Sequence, residues 1–141
     1  MVALKGMLQN VFQTYRSEFP ADQNHPFLRQ KYSKFRILAF AQILETQGFL
    51  ISHIHPGGWV SGAYYLAIPG VIADGAANPG WLEFGRPTPE LKSNAKLETR
   101  SYQPEEGMAI LFPSHFFHGT RPFESDQPRI SLGIDMIGLN S

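Results

Sequence analysis

The spacing of apolar residues predicts one amphipathic helix at the start of the chain. Within residues 1–20, apolar side chains recur at steps of three and four, which is the period of a helix with one buried face. A proline at position 20 ends the pattern. We therefore predict a leading helix within residues 1–20, packed on the face of a sheet. The residues that carry the pattern are Leu4, Met7, Leu8, Val11, Phe12 and Tyr15.

Beyond the helix, the apolar segments are short, rich in β-branched and aromatic residues, and separated by turns that contain proline or glycine. They predict strands at residues 35–44, 49–55, 60–68, 81–84, 97–102, 108–112 and 129–137. We expect residues 35–44 and 108–112 to be buried strands, residues 97–102 to be an edge strand, and residues 69–79 and 87–96 to be loops.

This series of strands, with a single helix before it, indicates a mainly β protein of antiparallel architecture. Helical segments do not alternate with the strands, so a parallel α/β sheet is excluded. A jelly roll, also called a double-stranded β-helix, fits best. Because the chain has 141 residues, we expect one domain over residues 1–141 with its β core at residues 35–137.

Composition narrows the choice of partners. Twelve basic and twelve acidic residues give a formal net charge of zero, so no excess of positive charge favours binding to nucleic acid. The chain begins without the apolar segment of a signal peptide and has no uninterrupted apolar stretch of membrane length. We expect a soluble, cytoplasmic protein with no membrane partner. It contains no cysteine, so histidines and carboxylates must carry any metal chemistry.

The segment Ser52–Leu66 contains the clearest candidate for such chemistry. In extended chain, His53 and His55 point to the same side, with their Cα atoms about 7 Å apart, so that both imidazoles can bind one ion. Proline and two glycines follow directly, which ends the strand and brings backbone close to the imidazoles. The pair predicts a metal centre at the mouth of a sheet.

Residues later in the chain supply complementary groups. His118 follows a predicted buried strand, and Arg129 shares one face of the last strand with Ser131. A guanidinium beside hydroxyl groups is suited to a dicarboxylate, and Tyr65 offers a further hydroxyl. Three imidazoles on one side of an ion leave positions open for an oxo-acid and O₂, as at a non-haem iron site.

These motifs resemble the 2-oxoglutarate-Fe(II) oxygenase family, within the superfamily of 2-oxoglutarate-dependent dioxygenases. The matching segments occur in the family's order from about residue 35 onward. They are His53-Ile54-His55-Pro56 with Trp59–Leu66, then Gly80–Pro87, then Leu111–Ser114 through His118, and finally Arg129-Ile130-Ser131.

The resemblance implies a double-stranded β-helix that holds Fe(II) through His53, His118 and the residue two positions after the first histidine. It also implies that Arg129 and Tyr65 bind the far carboxylate of 2-oxoglutarate, with Ser131 beside them. The chain departs from the superfamily at His55, where Asp or Glu is usual. Glu83 or Asp135 therefore remains an alternative to His55 as the third ligand.

Other polar residues have more ordinary interpretations. His25 precedes a proline in a polar loop and is expected to be a surface or capping residue, and His115 should point away from His118. An ion pair with Glu124 or Asp126 is the alternative for Arg129. Candidate pocket residues are Ser61, Trp59 and Arg121.

The function predicted from the sequence is a 2-oxoglutarate- and Fe(II)-dependent dioxygenase that oxidises a C–H bond of a small molecule or peptide. Two alternatives stay open: a cupin-type metal enzyme that does not use 2-oxoglutarate, and a non-enzymatic module that binds a metal or small molecule. The residues after the histidine pair lack the glutamate of the usual cupin motif. The sequence identifies neither the substrate nor the oligomeric state.

Overall fold

A computed structural model describes residues 2–20, 22–30, 32–74, 77–91 and 94–139. The four residues at positions 75, 76, 92 and 93, within the two predicted loops, lie outside the described residues. In chain order the elements are helix α1 (Val2–Ser17), strands β1 (Lys34–Leu44), β2 (Leu50–His53) and β3 (Val60–Ala67), helix α2 (Gly70–Asp74), and strands β4 (Leu82–Phe84), β5 (Arg100–Tyr102), β6 (Ala109–Pro113), β7 (His118–Thr120) and β8 (Arg129–Leu139).

The strands form two four-stranded sheets, with the orders β1-β8-β3-β6 and β2-β7-β4-β5. The pairs β2–β7, β3–β6, β3–β8, β4–β5 and β4–β7 are antiparallel. From β5 onward the chain passes from one sheet to the other at each connection, so neighbours within a sheet are distant in sequence. This is the predicted mainly β jelly roll.

The chain divides into two compact units. One contains the elements up to residue 35 together with the end of β8, and the other contains residues 36–137. In the first unit, α1 confirms the predicted helix, and its buried Phe12 packs edge-on against Phe35, with ring centroids 4.7 Å apart. The prediction of a single domain over residues 1–141 stays a prediction.

Strand β3 lies between β8 and β6 and is the most buried strand of its sheet. Burial of apolar side chains from β3, β8 and the second sheet supplies the main stabilisation of this unit. Its buried apolar residues include Trp59, Val60, Tyr65, Leu82, Phe112, Ile134 and Met136.

Two strands that we expected to be buried are in fact at edges. No residue of β1 is fully buried, and in β6 only Phe112 is. Both strands are the terminal members of their sheet, so one side of each has no neighbouring strand within the described residues. Their apolar runs resemble those of central strands. Sequence alone does not give the order in which strands pair, so their edge position could not be predicted.

The prediction that residues 69–79 form only a loop is also wrong, because they contain α2. This helix buries Ile72 completely, and the Ile72 carbonyl accepts a hydrogen bond from the indole nitrogen of Trp81 at 3.3 Å. Five residues are too few to show helical periodicity in the sequence. Strand β5 is the expected edge strand, although it begins at Arg100 rather than at residue 97.

Gly62 on β3 allows close approach of β6. A Cβ atom at this position would lie 2.6 Å from the carbonyl oxygen of Ile110. We expect Gly62→Ala to lower the free energy of unfolding by about 1–3 kcal/mol, because backbone must shift to admit the methyl group. Chemical denaturation measures this.

Gly70→Ala is the matched control, since a Cβ atom there has nothing within 4 Å. We expect its stability to equal or slightly exceed that of the parent chain. Equal stability of the two variants would contradict the steric argument.

Candidate functional site

Three histidines from two adjacent strands and one turn meet at a single point. His53 ends β2 and is the register partner of His118, the first residue of β7, while His55 lies two residues beyond β2. One ring nitrogen from each residue lies within 4.8 Å of the others, and the Nε2 atoms of His53 and His55 are 3.1 Å apart. The structure thus brings together the three predicted ligands.

The Nδ1 atom of each ring already has a partner. The carbonyl oxygen of Ile51 lies 2.8 Å from Nδ1 of His53, and that of Phe116 lies 2.9 Å from Nδ1 of His118. A carbonyl oxygen only accepts, so these Nδ1 atoms carry a proton, and in the neutral ring Nε2 then keeps its lone pair. This is the arrangement typical of metal-binding imidazoles.

Nδ1 of His55 also has a hydrogen-bond partner, which in this case is a carboxylate. Its Nδ1 lies 2.7 Å from Oδ1 of Asp135, which also only accepts when ionised. When both rings are neutral, the Nε2 lone pairs of His53 and His55 face each other at 3.1 Å, a distance at which they repel. A cation between them would remove this repulsion, so the three residues fit a divalent metal ion.

The environment of His118 keeps its ring neutral. Burial lowers its pKa to about 4, against the opposing effect of the Phe116 carbonyl, and the ring packs against Phe112 with centroids 4.5 Å apart. A neutral ring can bind a metal at neutral pH without first losing a proton.

Neither carboxylate that we considered as an alternative ligand belongs to this cluster. Asp135 lies behind His55, where its Oδ1 also accepts a hydrogen bond from Ser61 at 2.6 Å. Burial raises the pKa of Asp135, but hydrogen bonds from His55 and Ser61 outweigh this, and the net pKa is lowered. Glu83 accepts a hydrogen bond from Nε of Arg86 at 2.7 Å.

Arg129 lies at the start of β8 and is 1% exposed. Its Nη1 donates to the hydroxyl of Ser131 at 3.4 Å, and its guanidinium carbon lies 5.0 Å from the ring centroid of Tyr65. In the part of the chain that the structure describes, no carboxylate pairs with Arg129, so the ion pair with Glu124 or Asp126 does not form.

Nε of Arg129 and the hydroxyl of Tyr65 are buried, and within the described ranges neither has a hydrogen-bond partner of good geometry, although the two side chains interact electrostatically with each other. A buried cation is costly without a counter-charge, and burial lowers the pKa of Arg129. The guanidinium nevertheless stays charged at neutral pH. The donor set therefore fits a carboxylate, which would accept from both atoms.

An open cavity of about 440 Å³ lies beside His53 and His55. Strand β1 supplies one wall, and the sequence had not assigned β1 to the site. Phe40 lies over Gly133, whose missing side chain leaves room for the ring. Gln42 accepts a hydrogen bond from Ser131 at 3.3 Å, which joins this wall to Arg129. The side chains on the wall are Leu38, Phe40 and Gln42.

The three candidate pocket residues lie elsewhere in the fold. Ser61 and Trp59 are buried, 1% and 4% exposed, and Arg121 lines a separate groove of about 290 Å³ together with Arg86 and Ile51. None of the three lines the cavity beside the histidines. Their role in a substrate pocket stays a prediction.

The two remaining histidines lie outside the cluster. His115 is exposed in the turn before β7, and its ring contacts Phe116. Nδ1 of His25 accepts hydrogen bonds from the backbone N–H groups of Phe27 and Leu28 at 3.2 and 3.3 Å. His25 is therefore a capping residue, as its position before a proline predicted.

Comparison with known families decides the classification. The family described as "Putative 2OG-Fe(II) oxygenase" matches residues 39–135, more than half of the chain. The chain belongs to this family. The match includes His53, His55 and His118 as well as Arg129.

Solved structures agree on the fold of this oxygenase family member. An oxidoreductase of the 2OG-Fe(II) oxygenase family from Burkholderia pseudomallei superimposes with a TM-score of 0.58 at 13% identity, over 81% of this chain and 50% of that one. A Pseudomonas putida prolyl-4-hydroxylase gives 0.55 at 16% identity, over 77% of this chain and 55% of that one. The chain thus spans about half the length of these structures.

No curated protein sequence matches the chain. In the described ranges, neither helix has the length and apolar character needed to cross a membrane.

The cluster predicts which histidines bind metal. We expect His53→Ala and His118→Ala each to weaken binding of Co(II) or Fe(II) by more than about 100-fold, because each removes a ligand and not only its support. Anaerobic competition with a chromophoric chelator measures the affinity.

His115→Ala serves as the control, since its ring is exposed and lies outside the cluster. Its affinity should equal that of the parent chain. Metal binding that survives loss of His118 would contradict the proposed set of ligands.

Proposed function

We propose that this protein is an Fe(II)- and 2-oxoglutarate-dependent dioxygenase that hydroxylates or otherwise oxidises a C–H bond of a small molecule or peptide. The observation that carries the proposal is the convergence of three imidazoles whose Nδ1 atoms are already hydrogen-bonded, so that three Nε2 lone pairs remain for one ion. Membership of the oxygenase family supports it.

In this proposal, His53, His55 and His118 hold the iron through Nε2. They approach from one side, because β2 and β7 are neighbours and the turn after β2 bends back to the same point. The remaining coordination positions stay open for oxygen ligands, which suits a facial iron site. Phe112, packed against His118, excludes water from that ligand.

Arg129 and Tyr65 would bind the far carboxylate of 2-oxoglutarate. Their buried Nε and hydroxyl, which lack hydrogen-bond partners of good geometry, offer donors to an anion, and Ser131 holds the guanidinium in place. A charge-assisted contact of this kind is strong because the site is shielded from water. The same residues would reject a cosubstrate that lacks the second carboxylate.

When bound, the iron and 2-oxoglutarate would supply the oxidising chemistry: O₂ converts 2-oxoglutarate into succinate and CO₂, and one oxygen atom enters the substrate. The protein's part is to position these groups. The apolar wall formed by Leu38 and Phe40 beside His53 and His55 would orient a C–H bond and limit access of water.

The test of this proposal is production of succinate from 2-oxoglutarate in the presence of Fe(II) and O₂, together with anaerobic titration of 2-oxoglutarate. We expect Arg129→Gln to weaken binding of 2-oxoglutarate by about 100-fold, because it removes the positive partner of a buried ion pair. Tyr65→Phe removes one hydroxyl and should weaken binding by about 5- to 10-fold.

Arg100→Gln is the matched control, since Arg100 is an exposed arginine on edge strand β5. It should bind 2-oxoglutarate as the parent chain does. The proposal fails if the parent chain shows no binding of 2-oxoglutarate at millimolar concentration. Purification with zinc and no turnover with added iron would favour a binding module instead.

A further inference from the structure

A continuous chain of hydrogen bonds leads from His55 into the interior of the sheet. Nδ1 of His55 is 2.7 Å from Oδ1 of Asp135, which is 2.6 Å from the hydroxyl of Ser61, and this hydroxyl is 2.7 Å from that of Ser114. Both serines are 1% exposed. Asp135, Ser61 and Ser114 are not among the proposed metal ligands, so their arrangement needs another explanation.

The chemistry of these groups fixes the direction of each hydrogen bond. An ionised carboxylate has no proton, so Asp135 accepts from both His55 and Ser61. Ser61 has one proton and gives it to Asp135, so it must accept from Ser114. Ser114 therefore donates to Ser61, and Ser61 donates to Asp135. His55 donates to the same carboxylate, which keeps its proton on Nδ1.

The strand pairing brings the members of this chain of hydrogen bonds together. Ser61 and Asp135 are register partners on the central strands β3 and β8, and Ser114 directly follows β6. The backbone N–H of His55 also donates to the carbonyl oxygen of Ser114 at 2.9 Å. Ser114 therefore contacts His55 through its backbone and supports its ring through the chain of hydrogen bonds.

We propose that Asp135, oriented by Ser61 and Ser114, is a positioning residue that fixes the tautomer and direction of His55 and places a negative charge behind it. This inference rests on the proposed role of His55 as a metal ligand. Three neutral imidazoles leave the ion with one more positive charge than two imidazoles and a carboxylate. Asp135 would supply that missing charge through the imidazole, without touching the metal.

Two substitutions at Asp135 separate charge from orientation. Asp135→Asn keeps an oxygen that accepts from His55 but removes the charge, and we expect it to weaken Co(II) binding by about 10-fold. Asp135→Ala removes both the charge and the acceptor, and we expect a loss of about 100-fold. Ser61→Ala leaves Asp135 in place but removes the hydrogen bond that Ser61 donates to it. We expect this variant to weaken Co(II) binding by less than Asp135→Asn does.

A spectroscopic measurement distinguishes positioning from a general structural role. In ¹⁵N NMR of the zinc-loaded protein, His55 should carry its proton on Nδ1 in the parent chain. In Asp135→Ala that proton should exchange faster with water and its resonance should shift or disappear. Asp126→Asn, in an exposed loop, is the matched control and should leave affinity and resonance unchanged.

Equal affinity for Co(II) in the parent chain and Asp135→Asn, with an unchanged His55 resonance, would overturn the inference. If Asp135→Ala does not fold, Asp135→Asn and Ser61→Ala still decide it, since both are nearly isosteric. Metal affinity is measured without turnover. A protein that binds Co(II) as described but makes no succinate would therefore refute the proposed dioxygenase and leave the positioning role standing.

Discussion

The pairing of β3 with β8 is the constraint on which most of the site depends. This one ladder sets Ser61 opposite Asp135 and Tyr65 opposite Ser131, so it determines both the support of His55 and the surroundings of Arg129. Side chains alternate between faces with a period of two, and a slip of one residue would move all of them to the wrong face. One register of strand pairing therefore positions both the carboxylate beside His55 and the groups around Arg129.

The second sheet positions two of the clustered histidines by the same means. The pairing of β2 with β7 places His53 opposite His118, and the turn after β2 returns His55 to them. Asp135 of the first sheet meets this cluster, because its Oδ1 lies 2.7 Å from Nδ1 of His55. The histidine cluster and its carboxylate partner therefore come from different sheets.

The sequence was most informative where a feature depends on local periodicity. Alternation along a strand was enough to predict that Arg129 shares a face with Ser131. The spacing of His53 and His55 also predicted that they meet, although His55 lies in the turn beyond β2 and not on the strand. Local periodicity could not show that β1 is an edge strand or that Asp135 meets His55, because both depend on which distant strands become neighbours. Helix α2 was missed since five residues show no helical period.

The position of β1 at the edge of its sheet has a consequence for how this protein can change. Leu38 and Phe40 are 43% and 41% exposed, so neither belongs to the buried core, yet both line the cavity beside the histidines. The three clustered histidines and Arg129 lie outside β1. Substitutions on β1 can therefore change the shape of the cavity while the histidine cluster and Arg129 stay the same, so the two parts of the site can evolve independently.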